Sequence, residues 1–191
     1  MGFTVNRKVA VLVLAAVICV FTYIGVNRSV SALAGDIEDS FYTGAENAEG
    51  YTEASIQSHL DNRIDAANGL CTMAAQYPGM SDAANSLQSA RYELMEKSRD
   101  DITGKFQANE KLTESADALI SLLEDQDLSQ DQQQMLDYYT STLEGAENAI
   151  GKLSYNTAVD EFYNRTLKSF PVSLFSPLLS VEGPEYFRLI I

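Results

Sequence analysis

Several residue types are scarce in the 191-residue sequence, which has no tryptophan, one histidine and two cysteines. Zinc and di-iron sites in helical bundles need several histidines and carboxylates, and nucleophile triads need a histidine base. The single histidine, His59, has Ile56 three residues before it, where a Glu-x-x-His pair would place a glutamate. The sequence therefore predicts no metal, no cofactor and no enzymatic activity, and it predicts that His59 lies on a helix surface.

Basic residues are also few, with 13 lysines and arginines against 27 aspartates and glutamates. The first acidic residue is Asp36, and only Arg7, Lys8 and Arg28 precede it among the basic residues. The chain after residue 35 is therefore strongly acidic and should be repelled by nucleic acid and by anionic lipid headgroups. We predict no nucleic-acid partner. Cations or basic peptides would suit such a surface, although acidity can also serve only to keep a bundle soluble.

One long stretch, residues 9–26, contains no charged residue at all. As a helix it would be about 27 Å long, close to the thickness of a hydrocarbon core of about 30 Å. Two basic residues precede it and one follows, so the positive-inside rule places residues 1–8 in the cytoplasm and the later chain outside. We predict a transmembrane helix at residues 9–26, with the lipid bilayer as its partner, and a linker at residues 27–35.

A cleaved secretory signal is the competing interpretation of this stretch, because Ala32-Leu33-Ala34 fits the small-x-small pattern of a cleavage site. The apolar run is longer than the usual core of such a signal, and Arg28 interrupts the approach to the site. We therefore expect a retained anchor. Cys19 lies in the apolar run and Cys71 in the later body, so no disulfide is expected.

Apolar residues repeat three or four positions apart through most of residues 36–171, a pattern typical of amphipathic helices. The sequence predicts a first helix of about forty residues that ends before Pro78, and a last helix of similar length that runs to Pro171. Two shorter helices lie between them. Ser81 is predicted to cap the second helix, and Ser129 is predicted to cap the last one through a capping box with Gln132.

We therefore predict an all-α fold, in which an N-terminal transmembrane helix is followed by an elongated antiparallel four-helix bundle over residues 36–171. The two long helices would lie side by side. The remaining tail, residues 172–191, is apolar without clear periodicity. It either packs back on the bundle, acts as a docking strip, or touches the membrane.

Two Tyr-Asn pairs, at 155–156 and 163–164, stand near the end of the last predicted helix and are followed by Phe170-Pro171. Upstream, the stretch IQSHLDNRIDAANGL carries a second set of matching residues. In this order the motifs resemble the LemA family, although the family pattern usually spaces the pairs by seven residues and here they are eight apart. The resemblance implies a bacterial, membrane-anchored helical bundle, and it implies no reaction. The upstream matching residues are Leu60, Arg63, Asp65, Asn68 and Leu70.

Nine polar residues stand at or near the predicted helix seams. Buried polar groups in a bundle can hydrogen-bond across helices and fix their register. The alternative is that they form a surface that binds a small ligand or a protein partner. The nine residues are Arg63, Asp65, Asn68, Arg91, Asn148, Tyr155, Asn156, Tyr163 and Asn164.

These features predict a non-enzymatic, single-pass membrane protein whose acidic bundle acts as a spacer or protein-interaction module at the bacterial envelope, with its body outside the cytoplasm. A membrane or envelope protein would be its partner. The alternative is a sensor-like, ligand-binding bundle, which would need a membrane partner because residues 1–8 leave no room for a cytoplasmic output domain. A bundle enzyme is disfavoured by the missing catalytic residues.

Overall fold

A computed structural model describes residues 7–45 and 50–188, and these residues form helices and connecting loops with no β-sheet. The predicted all-α class is therefore confirmed. The elements are α1 (Arg7–Thr43), α2 (Ile56–Ala74), α3 (Ser81–Glu96), α4 (Ile102–Glu124), α5 (Gln130–Ile150), α6 (Tyr155–Glu161), a π-helical turn (Phe162–Thr166), α7 (Val172–Phe175) and a 3₁₀ turn (Ser176–Leu178).

The chain forms two compact units, and each is described by itself. The first unit contains the chain up to Glu38 together with Ala158–Pro184. The second unit contains Asp39–Thr157 together with the chain from Glu185 onwards.

A bundle of α2, α3, α4 and α5 makes up most of the second unit. Helix α2 packs against the other three helices, and α3 packs against α4. Loops of five or six residues join these helices, so consecutive helices run antiparallel. The predicted helical bundle is thus confirmed. Its core is mainly leucine, including the fully buried Leu60, Leu70, Leu87, Leu112 and Leu119.

The first predicted long helix is broken, so its predicted length of about forty residues is wrong. Helix α1 ends at Thr43, because Gly44 follows with φ at +82°, a left-handed conformation that ends helices. A Cβ on Gly44 would also collide with the Glu53 carbonyl oxygen. Helix α2 then starts afresh at Ile56, where the Ser55 hydroxyl accepts a hydrogen bond of 3.0 Å from the Ser58 amide.

The last predicted long helix is also broken. Helix α5 ends at Ile150, where the amides of Lys152 and Leu153 donate to carbonyls three residues back and tighten the last turn. Helix α6 begins at Tyr155 and passes into the π-helical turn. Two helices of forty residues side by side are therefore not the basis of the fold.

Two predicted helix caps have different outcomes. The capping box of Ser129 and Gln132 is confirmed at the start of α5. The predicted cap at Ser81 is wrong, because Met80 occupies the N-cap position of α3 and makes no side-chain cap bond. A third cap stands at the start of α4, where the Asp101 carboxylate accepts a hydrogen bond of 2.8 Å from the Gly104 amide.

Helix α1 is continuous from Arg7 to Thr43, so residues 27–35, predicted as a linker, are helical. Its first half is apolar and exposed; Leu12 and Phe21, for example, are 69% and 70% exposed. Its second half has buried residues at helical spacing: Val30, Ala34 and Ile37. One helix therefore has a first half that is mostly exposed and a second half that buries one face.

Candidate functional site

The most deeply buried charge in the second unit belongs to Arg63 on α2, which is only 1% exposed. Its guanidinium donates 2.9 Å to the Leu143 carbonyl and 3.2 Å to the Glu147 carboxylate on α5. It also donates to the hydroxyl of Thr113 on α4. Thr113 in turn donates to the Asn109 carbonyl at 3.1 Å. We call these five residues the Arg63 cluster, and it links the three helices α2, α4 and α5.

The Arg63 cluster is not fully satisfied. The Nε of Arg63 and the side-chain oxygen of Asn109 are buried without a hydrogen-bond partner in the structure. The Glu147 side chain is 53% exposed, so its charge is largely screened by solvent. The guanidinium therefore depends chiefly on neutral oxygen acceptors, an arrangement that fixes helix register at some cost in desolvation.

Lys105 is a second buried basic residue and lies on α4, two helical turns before Thr113. Its ammonium group lies 3.4 Å from the Lys97 carbonyl, to which it donates, and 6.0 Å from the centre of the Tyr42 ring. Burial lowers the pKa of Lys105 below its ordinary value, and the nearby charges of Asp61 and Asp101 partly offset this effect.

The C-terminal segment from Glu185 to Arg188 is held by residues from α4 and α6. The Asn156 amide group donates 3.0 Å to the Phe187 carbonyl and accepts 2.9 Å from the Phe187 amide. The Tyr155 hydroxyl donates 2.7 Å to the Glu185 carbonyl. Thr103 donates to this segment from the first turn of α4, with its amide to the Glu185 carboxylate at 2.9 Å and its hydroxyl to the Tyr186 carbonyl at 3.1 Å. We call this arrangement the tail clasp.

An aromatic cluster completes the tail clasp. The buried Phe187 ring lies 5.4 Å from the rings of both Phe41 and Phe106, and Phe41 lies 5.5 Å from Tyr155. These separations are typical of favourable edge-on aromatic contacts. The clasp thus combines main-chain hydrogen bonds with one apolar anchor, which are the two components of extended-peptide recognition.

The two Tyr-Asn pairs behave differently. Tyr155 and Asn156 both belong to the tail clasp. The Tyr163 hydroxyl donates 3.2 Å to the Pro184 carbonyl, whereas Asn164 is exposed and accepts a hydrogen bond from Lys168. The hydrogen bonds of Tyr155, Asn156 and Tyr163 reach the C-terminal segment, and an interhelical role for the four residues stays a prediction.

Other predicted seam residues lie on the surface. Asp65 and Asn68 on α2 are exposed, because the buried face of α2 is made by neighbouring positions such as Ile64 and Ala67, and Asn148 on α5 is exposed as well. Their predicted seam position is therefore wrong, while a role in binding a partner stays a prediction. Arg91 does bridge helices, since its Nε donates 3.3 Å to the Ile64 carbonyl.

Sequence reasoning missed Thr103 of the tail clasp, and it missed the α4 residues Lys105, Asn109 and Thr113. The last three recur every four residues on α4, at positions that share one helix face with buried apolar residues. That spacing was a usable signal. The sequence around Thr103 carried no such signal, because the hydrogen-bond partners of Thr103 lie more than eighty positions away.

No group of three or more histidine, cysteine, aspartate or glutamate residues is positioned to hold a metal ion within residues 7–45 and 50–188. His59 is partly exposed. A surface cleft of about 450 Å³ lies where α2 ends and α3 begins. Cys71, Tyr77, Asn85 and Gln88 are among its lining residues. Burial raises the pKa of the Cys71 thiol, and Arg91 partly opposes this rise.

Comparison with known proteins gives one family match. The family model of the LemA family matches residues 52–190, which contain the whole bundle, both Tyr-Asn pairs and the hydrogen-bonding residues of the tail clasp. Neither a curated protein nor a solved structure matches the chain at a significant level. Because the matched region is well over half of the sequence, the chain belongs to the LemA family.

Proposed function

We propose that this protein is a non-enzymatic, single-pass membrane protein that carries an acidic helical bundle as a spacer or protein-interaction module at the bacterial envelope. The bilayer holds residues 9–26, and the body lies on the outer side. A membrane or envelope protein is its partner.

The exposed apolar half of α1 is the observation that carries this proposal. Helix α1 is long and apolar enough to cross a membrane, and only 6% of its most apolar window is buried. A core helix of a soluble protein would be mostly buried. Large aliphatic side chains exposed around the helix, such as Leu12, Val13 and Leu14, favour a lipid environment over water.

Retention of the anchor is supported by the second half of α1. Ala34, the last residue of the small-x-small pattern, is 4% exposed and lies within an unbroken helix. A protease that cleaves extended substrates would meet a folded, packed site there.

Intact-mass measurement of the protein from the membrane fraction tests anchoring. We expect a chain that retains residues 9–26 and resists extraction by alkaline carbonate. A mature chain that begins at Gly35 would contradict the proposal. Protease digestion of intact cells tests sidedness, because a fully protected body would overturn the proposed topology.

Crosslinking in intact cells with mass spectrometry tests the interaction role. We expect a reproducible envelope partner, with crosslinks that map to exposed polar positions such as Asp65, Asn68 and Asn148. Recovery of only self-crosslinks would leave the bundle as a spacer and contradict the interaction role.

The surface cleft beside Cys71 favours a second candidate function, a sensor-like bundle that binds a small ligand and acts through a membrane partner. Its volume is within the range of small-molecule sites, and its lining mixes apolar groups with Asn85 and Gln88. A thermal-shift screen with small polar metabolites tests this alternative. A saturable shift that is lost in Gln88→Ala would support it, and the absence of any shift would count against it.

A further inference from the structure

An uncharged segment near the C-terminus exposes several large apolar side chains. Residues 169–181 contain no charged residue. They include α7 and the 3₁₀ turn, and Phe170, Leu174 and Leu178 are 83%, 65% and 65% exposed. We call residues 170–179 the apolar foot. Three such side chains facing water within nine residues form the kind of patch that marks an interaction surface.

Contacts with Tyr23 fix the position of the apolar foot within the first unit. The Tyr23 hydroxyl donates 2.9 Å to the Leu178 carbonyl. The rings of Tyr23 and Phe175 are 5.9 Å apart. Tyr23 belongs to the uncharged stretch of α1 and lies three residues before its end at Val26. The foot is therefore placed beside the last turn of the predicted membrane-spanning stretch.

Tyrosines near the ends of membrane helices lie at the level of the lipid headgroups, with the ring in the apolar region and the hydroxyl toward water. A segment bonded to that hydroxyl and packed on that ring must lie at the same depth. The foot is too short to cross a bilayer, and its backbone is broken by Pro171 and Pro177. In a bilayer such a segment fits only the membrane–water interface, with its exposed side chains toward the acyl chains.

We propose that the apolar foot is a second membrane contact, which lies in the interface of the leaflet that surrounds Tyr23. This inference rests on the proposed membrane anchoring through α1. The ligand is the acyl and glycerol region of a phospholipid bilayer. Because the foot has no charge, the contact does not select anionic headgroups.

The absence of tryptophan from the sequence allows a clean test with the full-length protein in phosphatidylcholine vesicles that carry bromine on their acyl chains. Three single-tryptophan variants are compared: Leu174→Trp in the foot, Val17→Trp in the middle of the apolar stretch, and Tyr138→Trp on the exposed surface of α5. Bromine quenches the fluorescence only of a tryptophan that touches lipid. The position of the bromine along the acyl chain reports the depth of that tryptophan in the bilayer.

We expect strong quenching of Leu174→Trp by bromine close to the headgroups and weaker quenching by bromine deep in the chain. Val17→Trp should show the reverse order, and Tyr138→Trp should not be quenched. If Val17→Trp is quenched and Leu174→Trp keeps its full, water-like emission, the foot is in solvent and the inference is wrong. If Leu174→Trp has blue-shifted but unquenched emission, protein covers the foot, and the inference is again wrong. Failure of quenching at Val17→Trp would instead contradict the anchoring itself.

Discussion

The Arg63 cluster and the tail clasp are both polar and both lie in the second unit. The Arg63 cluster joins helices to each other, whereas the tail clasp holds an extended segment. Arg63 uses one buried side chain to join α2, α4 and α5. The tail clasp uses the buried Tyr155 and the partly buried Asn156 to hold the main chain of an extended segment. Loss of the Arg63 cluster should therefore destabilise the whole bundle, because three helices would lose a common contact. Loss of the tail clasp should mainly release the segment of residues 185–188.

This difference also separates residues that look alike in the sequence. Arg63, Asp65 and Asn68 lie within two turns of one helix, but only Arg63 faces the core. Asn156 and Asn164 follow tyrosines in the same way, but only Asn156 bonds a distant main chain. Residue type and helix membership are therefore poor guides to the role, and the direction of the side chain decides it.

Arg63→Ala should produce the largest effect. The substitution removes a fully buried side chain and hydrogen bonds to three groups, so we expect a loss of about 2–4 kcal/mol in the free energy of unfolding. Urea unfolding of the full-length protein in detergent, followed by circular dichroism, measures it. Glu147→Gln is the matched control and should cost less than about 1 kcal/mol, because that carboxylate is half exposed. Equal costs for the two variants would contradict the account of the Arg63 cluster.

Asn156→Ala should have a smaller and more local effect. It leaves the amide and carbonyl of Phe187 without their partners, at a cost of about 1–3 kcal/mol. Hydrogen exchange should show lost protection at residues 185–188, with little change in α2 and α5. Asn164→Ala is the control and should change stability by less than about 0.5 kcal/mol. A uniform loss of hydrogen-exchange protection across the bundle would show that the tail clasp stabilises the whole unit and not only the segment that it holds.

Lys105→Met should remove a pH dependence of stability. The pKa of Lys105 is lower in the folded protein than its ordinary value of 10.5, so the unfolded chain binds more protons between those two pKa values. The free energy of unfolding should therefore rise with pH in that alkaline window, and the contribution should be absent from the variant. Urea unfolding at a series of alkaline pH values measures the free energy of unfolding of the unchanged protein and of Lys105→Met. The contributions of the other titrating groups cancel in the difference between these two values. A difference that does not vary with pH would contradict the burial of this charge.

The smallest effect should be seen at Cys71, which lies outside both clusters. Because burial raises the pKa of its thiol, we expect slower alkylation by iodoacetamide in the folded protein than in urea. The Cys19→Ser background isolates the signal. Adding Arg91→Gln removes a nearby positive charge that lowers this pKa, so alkylation should slow further. Faster alkylation in that variant would show that Arg91 acts by covering the thiol instead.

The sequence was sufficient to predict the all-α class, the apolar stretch and the family, because these depend on periodicity, composition and motif order. The break after Thr43 was missed because the apolar spacing continues into the following loop, while Gly44 and Ser55 end one helix and start another. The tail clasp was beyond prediction for a different reason. Its acceptors are mainly backbone carbonyls, which every residue carries, so no residue type marks them.

The capping of α4 has a consequence for the biosynthesis of the protein. The Glu185 carboxylate binds the amide of Thr103, a residue 82 positions earlier, in the first turn of that helix. Because synthesis proceeds from the N-terminus, only the Asp101 carboxylate can cap α4 until residue 185 has been added to the chain. A chain that stops before Glu185 therefore has an α4 whose first turn lacks one of its two carboxylate partners.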